Sequence, residues 1–146
     1  MYLKQLKTFG APYRDPRERV ITVAWTALVP PNRIREVQGG SDAKTAAWYA
    51  VNTLPPLAFD HLDIVDEAIQ HLRQTLQHSP VGLELVPEQF TIGELRAVHE
   101  CILNAPLDKG NFRRQFLRWV EQGDLKAIND KRKTASKPAQ LYVRNR

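Results

Sequence analysis

A single cysteine, Cys101, stands among the 146 residues of the chain. No internal disulfide framework can form, and a reducing compartment, the cytoplasm, is the expectation. Cys101 falls within a predicted amphipathic helix and reads as a small core residue rather than a nucleophile. No apolar run approaches the roughly 18 residues that span a membrane, so no membrane partner is expected. The N-terminus, Met1-Tyr2-Leu3-Lys4-Gln5, carries neither a signal nor a transit pattern. Only four histidines occur, His61, His71, His78 and His99. His71 and His78 share one predicted helix, but without further cysteines or a carboxylate–histidine pattern no metal and no other cofactor is expected. No Ser-His-Asp arrangement is recognisable. Gly39-Gly40 lacks the strand–loop–helix setting and the lysine of a phosphate loop.

What the chain does have is uneven charge. The net charge is +5, yet residues 1–107 balance to −2 and residues 108–146 to +7. Excess positive charge at one end is a candidate surface for a polyanion. A solvated basic tail is the blander alternative, and the arrangement of the charges must decide.

The first segment reads as strands. Residues 2–9 alternate loosely, and residues 19–28 are rich in β-branched side chains. Pro30-Pro31 ends that run. Residues 32–46 read as a loop, residues 47–51 as a further short strand, and Leu54-Pro55-Pro56-Leu57 as a rigid connector. A helix follows over 61–78. Asp60 is its N-cap, Phe59 and Ile64 are spaced as a staple, and Leu62, Val65, Ile69, Leu72 and Leu76 form the inward stripe.

Thr91-Ile92-Gly93-Glu94 is a capping box, with Phe90 and Leu95 at staple spacing. It opens a helix reaching about Asn104, with Ile92, Leu95, Val98 and Ile102 inward. Ala105-Pro106-Leu107 is a short turn, and Asp108 caps a third helix that ends at Gly123. In that helix Phe112, Phe116, Trp119 and Val120 share one stripe. Residues 125–128 and 140–143 read as the arms of a hairpin around a basic loop, 129–138. Three helices and a hairpin are the order of a winged helix-turn-helix.

The third helix has two chemically different sides. Its aromatic stripe must face the protein, since burying each ring is worth roughly 1.5–3 kcal/mol. Lys109, Asn111, Arg113, Arg114, Gln115 and Arg118 then point outward together. Arginine and asparagine read guanine and adenine edges bidentately, and lysine and arginine also meet phosphates. The second helix of such a turn enters the major groove. Lys131, Arg132, Lys133 and Lys137 in the loop suit a wing on the backbone or in the minor groove. Double-stranded DNA is therefore the expected partner, with Lys109, Asn111, Arg113, Arg114, Arg118, Lys131, Arg132, Lys133 and Lys137 as the DNA-binding set. Taken singly, each cluster is equally well read as helix solvation or a solubilising turn.

The strings Leu6-Lys7-Thr8-Phe9-Gly10, Arg14-Asp15-Pro16-Arg17 and Arg19-Val20-Ile21-Thr22-Val23-Ala24 resemble the later half of a Nudix domain. Gly39-Gly40-Ser41-Asp42, Ala47-Trp48-Tyr49 and Leu54-Pro55-Pro56-Leu57-Ala58-Phe59-Asp60-His61 continue the likeness. Phe90-Thr91-Ile92-Gly93-Glu94-Leu95, Asn111-Phe112-Arg113-Arg114 and Pro138-Ala139-Gln140-Leu141-Tyr142 resemble the winged-helix domain of Nudix-related transcriptional regulators. The resemblance implies an α+β chain: a truncated Nudix-like sheet with one helix over residues 1–80, then a winged helix-turn-helix over 81–146. It implies a DNA-binding regulator, a repressor, linked to NAD, ADP-ribose or sugar metabolism. Such a regulator acts as a homodimer and answers to a nucleotide effector such as ADP-ribose. Two arginines in the Arg14–Arg17 turn suit phosphate contact, which makes Arg14, Asp15 and Arg17 candidate ligand-binding residues. A loop merely held by an arginine–aspartate pair is the equal alternative.

One departure is large. The chain starts where the Nudix box should already have ended; Arg35-Glu36-Val37-Gln38-Gly39-Gly40 echoes a piece of it without the glutamate pair that holds magnesium. Hydrolase activity is therefore not expected, and a Nudix hydrolase of ADP-ribose-like diphosphates is the rival reading, represented here by a non-catalytic fragment. A third reading is a winged helix used only for protein contacts. The strands at 2–9 and 19–28 are expected to expose apolar edges, and either to pair with another copy or to form a reduced sheet on the helix over 61–78.

Overall fold

The computed structural model describes residues 2–30, 45–134 and 137–145. By its internal contacts the chain falls into two compact units, Met1–His71 and Leu72–Arg146.

In the first unit β1 (Tyr2–Phe9) and β2 (Thr22–Leu28) pair antiparallel, Tyr2 opposite Leu28 and Phe9 opposite Thr22. The register slips between Gln5 and Lys7, a bulge that leaves Leu6 without a partner across the ladder. β2 starts later than residue 19. Arg19 belongs to the connection, and its guanidinium donates to the carbonyls of Gly10 and Ala11 at 2.7 and 3.1 Å. Leu3, Val23 and Trp25 stand exposed on this two-stranded sheet.

The strand expected at 47–51 is not there. Residues 45–50 are irregular, a 3₁₀ turn spans Val51–Thr53, and all of them are exposed. Their aromatic and β-branched composition suits a strand, but no described strand pairs with them, and a strand without a ladder leaves its backbone to water. The expected loop at 32–46 and the Arg35–Gly40 string lie for the most part outside the described residues.

Helix α1 (His61–His78) keeps the expected bounds. Ile64, Val65 and Ile69 are half-buried and Leu76 is buried, but Leu62 is exposed. At about 100° per residue Leu62 lies within about 60° of Val65, Ile69 and Leu76, so its exposure goes with its place in the first turn and not with its side of the helix. Phe59 takes a left-handed φ of 51°, and its ring meets the Arg17 guanidinium and the edge of His61.

The second unit is built on one core. Leu83, Val86, Phe90, Leu95, Phe112, Phe116, Trp119 and Leu125 are buried together, with Ile92, Val98, Leu107, Val120 and Tyr142 packed around them. A 3₁₀ turn over Val81–Leu85 leads to β3 (Gln89–Phe90). Thr91 then opens α2 (Ile92–Leu103) with both halves of the capping box in place: its hydroxyl accepts from the Glu94 amide, and its amide donates to the Glu94 carboxylate at 2.7 Å. Asn104 closes α2 in the left-handed region, and Arg73 of α1 donates to the Ile102 carbonyl at 2.9 Å. That bond occupies one of the carbonyls a helix end leaves unpaired.

α3 (Lys109–Glu121) follows, then β4 (Leu125–Arg132) and β5 (Ala139–Arg144). Gly123, at φ 83°, makes the reversal between α3 and β4. β5 lies between β3 and β4 in an antiparallel sheet of three strands. β3 has no signal of its own in the sequence, because two residues carry no periodicity; its pairing to β5 defines it.

Cys101 is exposed, not in the core. On α2 the buried side centres on Leu95 and His99, and Cys101 lies about 200° from His99 at the helical pitch. His99 takes the core position instead. It fits because Gly82 leaves room; a Cβ there would stand 2.7 Å from His99 Nε2. The ring packs edge-on against Phe112 at 5.1 Å, and Nε2 has no partner among the described residues.

Burial drives the His99 pKa down from 6.5 to about 4. The folded state therefore holds neutral imidazole where the unfolded chain is protonated. Stability is full above about pH 6.5, falls as pH drops toward 4, and stops falling once the folded form also protonates. The total loss is roughly 3 kcal/mol. Urea unfolding between pH 4 and 7 should show this slope, and His99→Leu should flatten it; a slope that survives the substitution assigns it to another group.

Candidate nucleic-acid interface

α3 is aimed by its N-terminal turn. The Glu100 carboxylate accepts from the Leu107 amide at 3.0 Å, fixing the link after α2. The Asp108 carboxylate accepts from the Asn111 amide at 2.7 Å and caps the helix. Phe112, Phe116 and Trp119 are buried, so the rotation of α3 about its axis is set. Phe116 meets Tyr142 of β5 edge-on at 4.7 Å, and Phe112 meets Trp119 edge-on at 6.4 Å.

That rotation leaves Lys109, Asn111, Arg113, Arg114 and Arg118 exposed and Gln115 half-buried. Arg113, Arg118 and Lys109 make no side-chain hydrogen bond or ion pair among the described residues. Arg114 donates to the Asn111 carboxamide one turn back. Asn111, Arg114, Gln115 and Arg118 line one shallow depression. Leu117 stands in the same outward sector, 40% exposed, and the sequence reading passed over it. An apolar side chain there can meet a thymine methyl. Its isolation among arginines is the signal that was available.

The hairpin differs from expectation. β4 runs to Arg132 and β5 starts at Ala139, so the arms are longer and the tip is shorter than a loop over 129–138. Lys131 and Arg132 are strand residues, not loop residues. The reason is non-local. Residues 128–130 bulge out between Ala127, opposite Tyr142, and Lys131, opposite Gln140. The Gln140 carboxamide fills the bulge by donating to the carbonyls of Ile128 and Asp130, the latter at 3.2 Å. Pairing then resumes. Lys131, Lys133 and Lys137 are exposed; Ala135 and Ser136 lie outside the described residues. Lys126, also exposed on β4, adds a cation that the sequence reading left out.

Arg132 is half-buried and already engaged. Its guanidinium forms an ion pair with Glu94 and donates to the Gln89 carbonyl at 3.0 Å.

In the first unit the three candidate ligand-binding side chains bond to the protein itself. The Arg14 side chain is buried, forks onto both Asp60 oxygens at 2.7 Å and donates to Thr22 Oγ1 at 2.7 Å. Asp60 precedes α1, as a cap should, but both oxygens of its carboxylate accept from Arg14. That guanidinium holds the Asp60 carboxyl below the usual carboxylate range. Asp15 accepts from the amide, Nε and Nη2 of Arg17 at 2.9, 3.0 and 2.8 Å. These bonds lower its pKa to about 2. Among the described residues no group of histidine, cysteine, aspartate and glutamate is placed to hold a metal, and no helix is long and apolar enough to cross a membrane.

Comparison with known proteins gives this geometry a context. Residues 82–143 match the family described as the NrtR DNA-binding winged helix domain. The chain is 32% identical over 143 residues to the ADPR responsive transcriptional repressor NtrR of Acinetobacter baylyi, covering 97% of this chain and 55% of that protein. It superposes on Shewanella oneidensis NrtR, crystallised with a 27mer DNA, at a TM-score of 0.81 and 36% identity, over 98% of this chain and 64% of that one. A MutT/nudix family protein from Enterococcus faecalis, at 24% identity and a TM-score of 0.69, shares the fold over 97% of this chain and 61% of its own. The chain thus spans between about half and two thirds of the length of these relatives. The fold is α+β, a Nudix-like portion followed by a winged helix.

Proposed function

We propose that the chain is a Nudix-related transcriptional regulator, a repressor that binds double-stranded DNA, a reading supported by the match of residues 82–143 to the NrtR DNA-binding winged helix domain and by the likeness to NrtR proteins over nearly the whole chain. The observation that carries this reading is the rotation of α3: three buried aromatics on one side, Arg113 and Arg118 open to solvent on the other. We take residues 81–146 as the DNA-binding domain and residues 1–80 as the partial Nudix-like domain. Lys109, Asn111, Arg113, Arg114 and Arg118 read the major groove, while Lys131, Lys133 and Lys137 meet phosphates. The chain acts in the cytoplasm as a homodimer on two-fold-related half-sites. The ADPR-responsive relative supports ADP-ribose as effector, and regulation in place of hydrolysis. The Arg14–Arg17 turn is given a holding role, since Arg14 and Asp15 have their polar atoms already bonded.

Selection from a random duplex pool tests the proposal. One motif should be enriched, and the log of the affinity should fall steeply with the log of salt, at about 0.9 per phosphate neutralised. Complexes with protein alone, insensitive to salt, would favour a protein-docking winged helix instead.

A further inference from the structure

Arg132 belongs to the basic set expected on the backbone or in the minor groove, yet its side chain turns back into the protein. We propose that Arg132 is a positioning residue: its ion pair with Glu94, with a second bond to the Gln89 carbonyl, straps the wing to the first turn of α2 and sets how the wing meets the duplex. The inference rests on the DNA-binding reading.

The strap joins parts that the backbone does not join. β3 and β4 are separated by β5, and Arg132 reaches from β4 to the β3 carbonyl of Gln89 and on to Glu94 of α2. It is the last residue of β4, so it acts at the root of the tip that carries Lys133 and Lys137. Glu94 is a fixed anchor. One carboxylate oxygen accepts from the Thr91 amide at 2.7 Å and hydroxyl at 3.0 Å, and the other takes Arg132. The capping box has already restricted this side chain, so pairing costs little further side-chain freedom. Arginine suits the task because its planar fork serves two acceptors at once. The pair also cancels the charge of Arg132. With both side chains about 40% exposed, such a pair adds little to stability; what it fixes is geometry. The Gln140 carboxamide holds the same strand at the bulge, so β4 is pinned at two points.

The test turns on a sign. Plain electrostatics says that removing an acid strengthens binding to DNA; a strap says that it weakens it. Glu94→Gln keeps one carboxamide oxygen as acceptor for the capping box, while an NH2 donor replaces the oxygen that takes Arg132 and the charge is lost. The full chain is titrated with the duplex that the wild type enriches from a random pool, over a range of salt. Glu94→Gln and Arg132→Gln should each weaken binding about fivefold to thirtyfold, and the double variant should be no worse than either. The salt slope should stay at the wild-type value, whereas loss of a phosphate contact lowers it by about 1. Glu94→Arg with Arg132→Glu should recover part of the affinity. Hydrogen exchange of the β4 and β5 amides next to the tip should accelerate in Glu94→Gln without DNA. Tighter or unchanged binding by Glu94→Gln, a reduced slope for Arg132→Gln, or unchanged exchange overturns the strap. A wild-type chain that enriches no duplex overturns the DNA reading itself, and exchange still decides on the strap.

Discussion

Phe116→Ala is expected to destabilise the second unit by about 3–5 kcal/mol. Phe116 has no exposed surface, sits within the buried cluster and meets Tyr142 at 4.7 Å. Removing the ring leaves a cavity bounded by α2, α3 and the wing sheet, and the lining loses its dispersion partners outright. Domains of this size hold about 5–15 kcal/mol in total, so the variant stands near the edge of folding. Trp119 supplies the readout. It is 8% exposed, whereas Trp25 and Trp48 are mostly exposed, so the change in tryptophan emission on unfolding comes chiefly from Trp119. The urea midpoint should fall sharply with DNA binding lost in parallel, while Leu117→Ala, one position along, should cost less than about 1 kcal/mol. A small loss for Phe116→Ala would mean that the cluster does not set the orientation of α3.

How far such a core can be read in advance depends on the range of the interactions that make it. The capping box at Thr91–Glu94 and the stripe Phe112–Phe116–Trp119 were legible because both lie within one or two helical turns. The outward position of the α3 arginines followed from the stripe alone. Errors gathered where a distant residue decides. β3 exists because β5 pairs with it. β4 extends to Arg132 because Gln140 fills a bulge on the neighbouring strand. His99 occupies the core because Gly82 makes room for it, and Cys101, on the same helix, faces water. Residues 47–51 have the composition of a strand but find no described partner. The charges behave alike: Arg113 and Arg118 are open as expected, while Arg132, in the same basic set, is neutralised by a glutamate 38 positions earlier. Charge counting along a loop cannot separate these cases, since an ion pair across a sheet leaves no local pattern.

Arg113 and Arg114 separate direct reading of bases from general attraction to a polyanion, and their loss should have the largest effect on binding. Each direct base contact is worth about 1–3 kcal/mol. Arg113→Ala with Arg114→Ala should therefore weaken the complex with the selected duplex by roughly 30-fold to 10⁴-fold, with less effect on a scrambled duplex. Neither side chain supports the core: both are exposed, and among the described residues Arg114 bonds only to Asn111 of its own helix. The double variant should then unfold in urea close to the wild-type midpoint, which separates lost contact from lost fold. Lys133→Ala with Lys137→Ala should behave otherwise. It should weaken selected and scrambled duplexes alike and lower the salt slope by about 2, one for each phosphate contact. If the arginine variant instead keeps its preference for the selected duplex, and only its salt slope falls, then α3 lies along the backbone. Sequence would then be read by some other surface or through the deformability of the duplex.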